Sequence, residues 1–158
     1  MIRIEGENII LRSVDFSDID TLLLWENASA EPLYGVYDEQ YTRDDVVQFV
    51  KNQQHYSFAE TEQLRLMICS HDGERLGAID LTEYDGKSAS VSILIYDLTN
   101  RGKGFGTEAL RLLISYAESL GLHNLFATIL PENLASITLF SKAGFRKEIN
   151  NRFRRVLE

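Results

Sequence analysis

Apolar residues recur along this chain with two periods, and the segments that carry each period predict an α/β protein. Alternation of apolar and polar residues, or a short continuous apolar run, indicates a strand. Apolar residues three or four positions apart indicate an amphipathic helix. The predicted strands are 9–14, 64–70, 76–83, 88–96, 124–130, 145–149 and 152–157.

Four helices are predicted between these strands. The first follows Ser17, a candidate N-cap with Asp20 three residues later, and runs to about Asn27. Thr42, with Asp45 in the same relation, starts the second, because a hydroxyl followed three residues on by a carboxylate can form a capping box. The other two cover 107–120 and 133–143, and each is followed by a glycine that suits a helix C-terminus.

Short polar turns connect the strands. Asp72-Gly73 and Asp85-Gly86 separate β-rich runs and predict hairpins, as does Asn150-Asn151 near the end of the chain. The resulting order is β-α-α-β-β-β-α-β-α-β-β, in which antiparallel hairpins precede a parallel crossover. We therefore expect a central mixed, twisted sheet of about seven strands flanked by four helices, forming one domain over residues 1–158.

Composition limits the classes of function. The net charge of −8 argues against a basic nucleic-acid-binding surface and would steer cationic ligands toward the protein, the alternative being that it serves solubility alone. We expect no membrane-spanning helix and no signal peptide, since no apolar run is long enough and residues 1–8 lack a basic-then-apolar layout. Cys69 is the only cysteine, which excludes an internal disulfide and favours the cytoplasm. The histidines are dispersed, so no metal site is expected.

The segment Arg101-Gly-Lys-Gly-Phe-Gly-Thr107 carries the strongest chemical signal in the chain. Its glycines stand at alternate positions between a predicted strand and a predicted helix, so backbone N–H groups can approach a ligand closely. The unpaired N–H groups and the dipole of a helix N-terminus suit a pyrophosphate. The spacing matches neither a P-loop nor a dinucleotide-binding fold. The alternative is a tight turn in which glycine only relieves strain.

This Arg-x-x-Gly-x-Gly loop resembles the coenzyme A loop of the GCN5-related N-acetyltransferase (GNAT) superfamily, and the order of elements resembles that fold along nearly the whole chain. The Leu11-Arg12 opening and the loop are most similar to a branch that includes ribosomal-protein N-terminal acetyltransferases and spermidine or diamine acetyltransferases. The segment from Asn133 to Phe145 resembles that branch's second signature.

The resemblance implies acetyl-CoA as cosubstrate. Backbone groups of Leu94, Ile95 and Tyr96 would pair with the pantetheine arm as an added strand does, and one N–H could bind the oxyanion. Asn133 would contact the cofactor arm in addition to capping its helix. The full set of cofactor-binding candidates is Leu94, Ile95, Tyr96, Arg101, Gly102, Lys103, Gly104, Phe105, Gly106, Thr107, Asn133 and Phe140.

The resemblance also identifies candidates for proton transfer. Many relatives carry a tyrosine seven residues after the Asn, and its hydroxyl protonates the departing thiolate. Here that position is Phe140, which cannot donate a proton. Ser136 stands where related N-terminal enzymes have a proposed acid. On strand 76–83, Asp80 and Glu83 face opposite sides if alternation is strict, and Glu83 shares its face with apolar residues that would raise its pKa. We predict Glu83 as base or amine-binding acid, with Asp80 as a further candidate.

The first helix and its loop would shape the acceptor site. Glu26, Glu31 and Tyr34 lie there, and the carboxylates, together with Glu83, could bind the ammonium groups of a polyamine. The sequence thus predicts transfer of the acetyl group of acetyl-CoA to a primary amine, namely a small amine or polyamine. N-terminal acetylation of a protein and CoA binding without catalysis are the alternatives. The expected partners are acetyl-CoA and the amine, with no nucleic acid or membrane, and a homodimer is possible.

Overall fold

The structure is a computed structural model, and it describes residues 1–28 and 40–157. Within this part of the chain, eight strands form a single mixed sheet in the order β1-β2-β3-β4-β5-β6-β8-β7. The strands are β1 Arg3–Glu5, β2 Ile9–Ser13, β3 Leu64–Ser70, β4 Arg75–Thr82, β5 Ser88–Ile95, β6 Asn124–Thr128, β7 Arg146–Lys147 and β8 Arg152–Val156. The helices are α1 Ile19–Ala28, α2 Arg43–His55, α3 Phe58–Thr61, α4 Phe105–Ser119 and α5 Leu134–Lys142.

Every sheet pair except β5 and β6 is antiparallel. The parallel pair is joined by the crossover that contains α4, because parallel neighbours need a long connection. The α/β fold with a mixed sheet is therefore confirmed. The sheet has eight strands instead of about seven, because β1 pairs with β2 at the edge through a three-residue register from Arg3 to Glu5.

Two apolar layers cover the two faces of the sheet. The larger one packs α4 and α5 on one face, and α4 contributes Ala109, Leu110, Leu113, Ile114 and Ala117 at helical spacing. The smaller one packs α1 and α2 on the other face of β2 to β5, around Leu22, Trp25 and Val50. No helix in the described part of the chain is long and apolar enough to cross a bilayer.

The capping residues were predicted correctly for α2 but not for α1. Thr42 and Asp45 form a reciprocal capping box at the start of α2. Before α1, the box is formed by Asp15 and Asp18 around a 3-10 turn, and not by Ser17 and Asp20. Asp18 holds this position because its carboxylate is also bound by two arginines of the sheet, a tertiary contact that has no local sequence signal.

Asp18 is fully buried and joins the chain before α1 to β2 and β4. Its two oxygens each accept a hydrogen bond of 2.8 Å from the Arg12 guanidinium, and Arg75 Nε lies 2.7 Å from Oδ1. Burial raises the pKa of Asp18, but the hydrogen bonds from Arg12 and Arg75 outweigh burial and hold the pKa below its ordinary value. The ionised form is therefore favoured by folding.

We expect Asp18→Asn to destabilise the fold by about 3 kcal/mol at neutral pH, because it leaves two arginines without their buried partner. A lowered carboxylate pKa stabilises above the pKa of the unfolded chain, so this contribution should fade as pH falls below about 4. Urea unfolding at several pH values measures the difference in free energy of unfolding between the variant and the native protein. Asp20→Asn removes an exposed pair with Arg43 and should change stability by less than about 0.5 kcal/mol. Equal effects of the two variants would contradict the assignment.

Candidate functional site

The sheet opens where β5 and β6 part. β5 has eight residues, but it pairs with β6 only from Ser88 to Ser90, opposite Asn124 to Phe126. β6 continues to Thr128 and remains paired with β8 on its other edge. The facing edges of β5 and β6 beyond this point therefore carry strand N–H and C=O groups that are not used by each other. Such an edge can accept an extended chain as an added strand.

Backbone direction decides which residues of β5 face this opening. Tyr96 N donates to Leu76 O of the β4 side at 3.1 Å. Because backbone groups alternate between the two edges of a strand, Leu94 and Tyr96 direct theirs to β4, while Ile93 and Ile95 direct theirs to the opening. Of the predicted residues Leu94, Ile95 and Tyr96, only Ile95 thus presents its backbone there. Ile93 was missed, since the sequence does not reveal which edge is paired.

The glycine loop supplies an open set of N–H groups at the start of α4. Gly102 and Gly104 have φ of +77° and +86°, a conformation that side chains disfavour, and a Cβ at either would meet no atom within 4 Å. Gly104 is the N-cap and offers no side-chain bond, and the first helical bond runs from Glu108 N to Gly104 O. The N–H groups of residues 105–107 thus lack helical acceptors and suit an anion.

Other loop residues tie this helix start to the opening. Arg101 Nε donates to Ile95 O at 3.0 Å, so its side chain braces the end of β5. Lys103 is exposed, and Phe105 packs partly into the larger core. A Cβ at Gly106 would lie 3.6 Å from Leu139 and 3.8 Å from Ile93, so this glycine marks the meeting point of α4, α5 and β5.

Glu108 fixes the position of the helix start. Its Oε2 accepts hydrogen bonds from the N–H groups of Asn8 at 2.9 Å and Ile9 at 3.1 Å, and its Oε1 accepts one from Asn8 Nδ2 at 3.0 Å. Burial raises the pKa of Glu108, but these hydrogen bonds lower it by more than burial raises it, so the pKa lies below its ordinary value. A Cβ at Gly6 would approach Oε2 to 2.3 Å, which explains a glycine there. The sequence gives no signal for this contact between distant segments.

The second signature segment forms the start of α5. Asn133 is the N-cap, and its Oδ1 accepts a hydrogen bond of 3.2 Å from Ser136 N. Asn133 is exposed and Ser136 is half-buried. Phe140, a predicted cofactor contact, is buried in the core and packs edge-to-face on Phe145 with ring centroids 5.0 Å apart. This packing leaves little of the Phe140 ring for a ligand.

The predicted acidic residues of the acceptor side are held by an arginine that the sequence analysis missed. Arg65 on β3 is fully buried, with Nε 2.9 Å from Asp80 Oδ1, Nη2 2.8 Å from Oδ2, and Nη1 3.3 Å from Glu26 Oε1. Its guanidinium also lies 4.9 Å from the centre of the Phe49 ring. Asp80 and Glu26 therefore form an internal ion-pair cluster, and neither presents a solvated carboxylate to an ammonium group.

Of the remaining acceptor candidates, Glu83 is placed differently from the prediction. Glu83 follows the end of β4 with φ +53° and is exposed, so strict alternation ends before it and the expected apolar surroundings are not found. Glu31 and Tyr34 lie outside the described residues. Tyr96, with its backbone on β4, stacks on Trp25 with centroids 5.4 Å apart.

Cys69 is buried, and burial raises the pKa of its thiol. In the described ranges, no group of three or more His, Cys, Asp or Glu side chains is arranged to bind a metal ion.

Three comparisons relate this architecture to known proteins. Residues 8–146 match the model of the acetyltransferase (GNAT) domain family. The probable N-acetyltransferase YjcK of Bacillus subtilis is 26% identical over 92% of this chain and 84% of its own length. An uncharacterized protein of Methanocaldococcus jannaschii is 24% identical over 90% of this chain, which spans only 29% of that protein.

Two solved structures share the fold. The spermidine N-acetyltransferase from Vibrio cholerae in complex with CoA and spermine superposes with a TM-score of 0.79 at 20% identity, with 96% of each chain covered. The ribosomal L7/L12 α-N-protein acetyltransferase RimL in complex with coenzyme A has a TM-score of 0.77 at 15% identity, covering 99% of this chain and 98% of its own. Because the family model matches residues 8–146, which are most of the chain, this chain belongs to the GNAT family of acetyl-CoA-dependent acyltransferases.

Proposed function

We propose that this chain transfers the acetyl group of acetyl-CoA to a primary amine by direct attack within a ternary complex. The observation that carries the proposal is the opening between β5 and β6 directly beside the glycine loop, joined by the hydrogen bond from Arg101 to Ile95 O. A long ligand with a diphosphate at one end and an extended amide-bearing arm at the other fits both features at once.

The residues divide the binding of acetyl-CoA between them. The N–H groups of Phe105, Gly106 and Thr107, with Gly102 and Gly104 giving access, would hold the diphosphate. Backbone groups of Ile93 and the N–H of Ile95, whose carbonyl accepts from Arg101, would pair with the pantetheine arm. A strand N–H at the opening would stabilise the oxyanion that forms when the amine nitrogen attacks the thioester carbon.

Proton transfer completes the reaction. The amine must lose a proton on forming the amide, and the CoA thiolate leaves as the carbon–sulfur bond breaks and then gains one. Asp80 is bound by Arg65, and the Phe140 side chain has no proton that it can donate. We therefore propose Ser136, at the start of α5, as the acid that protonates the thiolate, directly or through water. Glu83 is exposed and would accept the amine proton through water.

The acceptor is a small amine or polyamine in the leading form of the proposal, which the net charge of −8 supports by steering cations. A protein N-terminus is the second candidate. It is favoured by the Arg65 cluster, because that arginine occupies the Asp80 and Glu26 carboxylates that a polyamine would need.

Steady-state rates with spermidine, putrescine, an aminoglycoside and N-terminal peptides test the proposal. We expect acetyl-CoA-dependent acetylation of at least one class, detected as release of the CoA thiol and as the mass of the product. Calorimetry with CoA on the same preparation separates the outcomes. CoA binding without turnover of any amine would instead indicate a CoA sensor, and absence of CoA binding would contradict the placement of the site.

The glycine loop can be tested by Gly104→Ala. Since φ is +86°, alanine should shift the helix start and weaken CoA binding by at least about tenfold, the effect of losing one charge-assisted hydrogen bond of about 1.5 kcal/mol or more. Gly73→Ala is a matched control, because Gly73 has φ +91° and equally open surroundings in the β3–β4 turn. Both variants should lose similar stability, and only Gly104→Ala should lose CoA affinity.

Ser136→Ala tests the proposed acid. If the hydroxyl protonates the thiolate, kcat should fall by about tenfold or more with KM for acetyl-CoA little changed, as for a contact made in the transition state. The helix cap uses the Ser136 N–H and not its hydroxyl, so the fold should be retained. Ser141→Ala, an exposed serine later in α5, provides the control. Identical kcat values for both variants would remove Ser136 from the mechanism.

A further inference from the structure

One face of the C-terminal part of the sheet bears arginines and is covered by no described helix. In the register of β7, β8 and β6, Arg146 lies opposite Arg154, and Arg154 lies opposite Phe126. Arg152 lies two residues before Arg154 and therefore on the same face of β8. Its register partner Thr128 projects to that face as well, because directly opposed residues project to one side. The alternate residues of β6 and β8 point into the core on the other side. We name Arg146, Arg152, Arg154, Phe126 and Thr128 the arginine face.

This face is positive on a protein whose net charge is −8. Its three arginines are exposed, and among the described residues its only ion pair joins Arg154 Nε to Glu148 Oε1 at 2.7 Å. The Arg152 guanidinium stacks over the Phe126 ring, 3.6 Å from its centre, which holds the cation in place beside an apolar surface. Arg146 and Arg152 thus present charges that the described carboxylates do not neutralise.

The arginine face begins at the opening proposed for the reaction. Phe126 pairs with Ser90 in the last register pair before β5 and β6 part. Since neighbouring strands are about 4.8 Å apart, β8 and β7 lie roughly 5 and 10 Å from β6 across the sheet. An extended peptide advances about 3.3 Å per residue, so side chains two to four residues beyond an N-terminal amine in the opening would reach the arginines.

We propose that the arginine face binds acidic side chains of a peptide whose N-terminal amine is the acetyl acceptor. The inference rests on the proposed acetyl transfer and takes up its second acceptor candidate, the protein N-terminus, in place of a polyamine. Exposed guanidinium groups bind carboxylates through charge-assisted, often bidentate hydrogen bonds. They repel the ammonium groups of a polyamine, and the buried pairing of Glu26 and Asp80 with Arg65 removes two carboxylates that would compensate. The overall negative charge disfavours a nucleic acid in this position.

The test compares two peptides with the same N-terminal residue, one with acidic residues at positions three to five and one with their amide counterparts. We expect a lower KM for the acidic peptide, and a rise of about tenfold in that KM in the R146Q/R152Q variant with kcat nearly unchanged, as expected for two exposed ion pairs. The KM of the amide peptide should not change. Arg3→Gln removes one positive charge, half of that removed by R146Q/R152Q, from the opposite edge of the sheet and is the control.

Equal KM values for the two peptides in the native protein, or equal effects of R146Q/R152Q on both, would overturn the inference while leaving acetyl transfer intact. Fluorescence anisotropy of the labelled acidic peptide in the presence of CoA supplies a readout that needs no turnover. Loss of peptide binding in R146Q/R152Q supports the arginine face as the peptide-binding surface, even if no amine is acetylated. Absence of acetylation refutes the proposed function alone. A change of oligomeric state in this variant without loss of peptide binding would identify the face as a contact between copies and overturn the proposal.

Discussion

The short contact between β5 and β6 is the constraint on which the rest of the site depends. The two strands share three residue pairs and then part, yet each remains bonded along its other edge, β5 to β4 and β6 to β8. Their divergence therefore leaves only the facing backbone groups without strand partners, and these are the groups that a bound extended ligand can satisfy. The crossover helix α4 begins beside this opening, and Glu108 fixes its first turn to the start of β2 through Asn8 and Ile9.

The positions of the arginines, together with the net charge, determine the local electrostatic potential of this molecule. Arg12 and Arg75 hold the Asp18 carboxylate below α1, and Arg65 holds Asp80 and Glu26 inside the sheet. Arg65 and its partners are buried, whereas Arg12 and Arg75 are partly exposed, and the opposite charges within these clusters offset one another in the field that a ligand meets at the opening. A negative total charge therefore coexists with a positive surface on β7 and β8, where the local field differs in sign from the net charge.

The sequence predicted features that depend on neighbours along the chain. The capping box of Thr42, the apolar stripe of α4 and the Asn150-Asn151 turn, with φ of +55° and +66°, are all local and are present. Gly102 and Gly104 have positive φ, a conformation that favours glycine. Features set by pairing across the sheet were missed. The edge toward which Ile93 and Leu94 direct their backbone, and the neutralisation of Asp80 by Arg65, follow from strand register, which local patterns do not contain.

The two faces of β5 support the direct transfer that we propose. The Ile93 side chain lies toward Gly106 on the side of α4, whereas Ser92 shares a face with its register partner Asp80 on the side of α1 and α2. Ligands that approach from these two sides meet at the open edge of one strand, so donor and acceptor can be bound at the same time. Among the described residues, the single thiol is buried in the smaller core with a raised pKa. Direct attack by the bound amine needs no nucleophilic side chain from the protein, whereas a covalent acetyl-enzyme intermediate would need one.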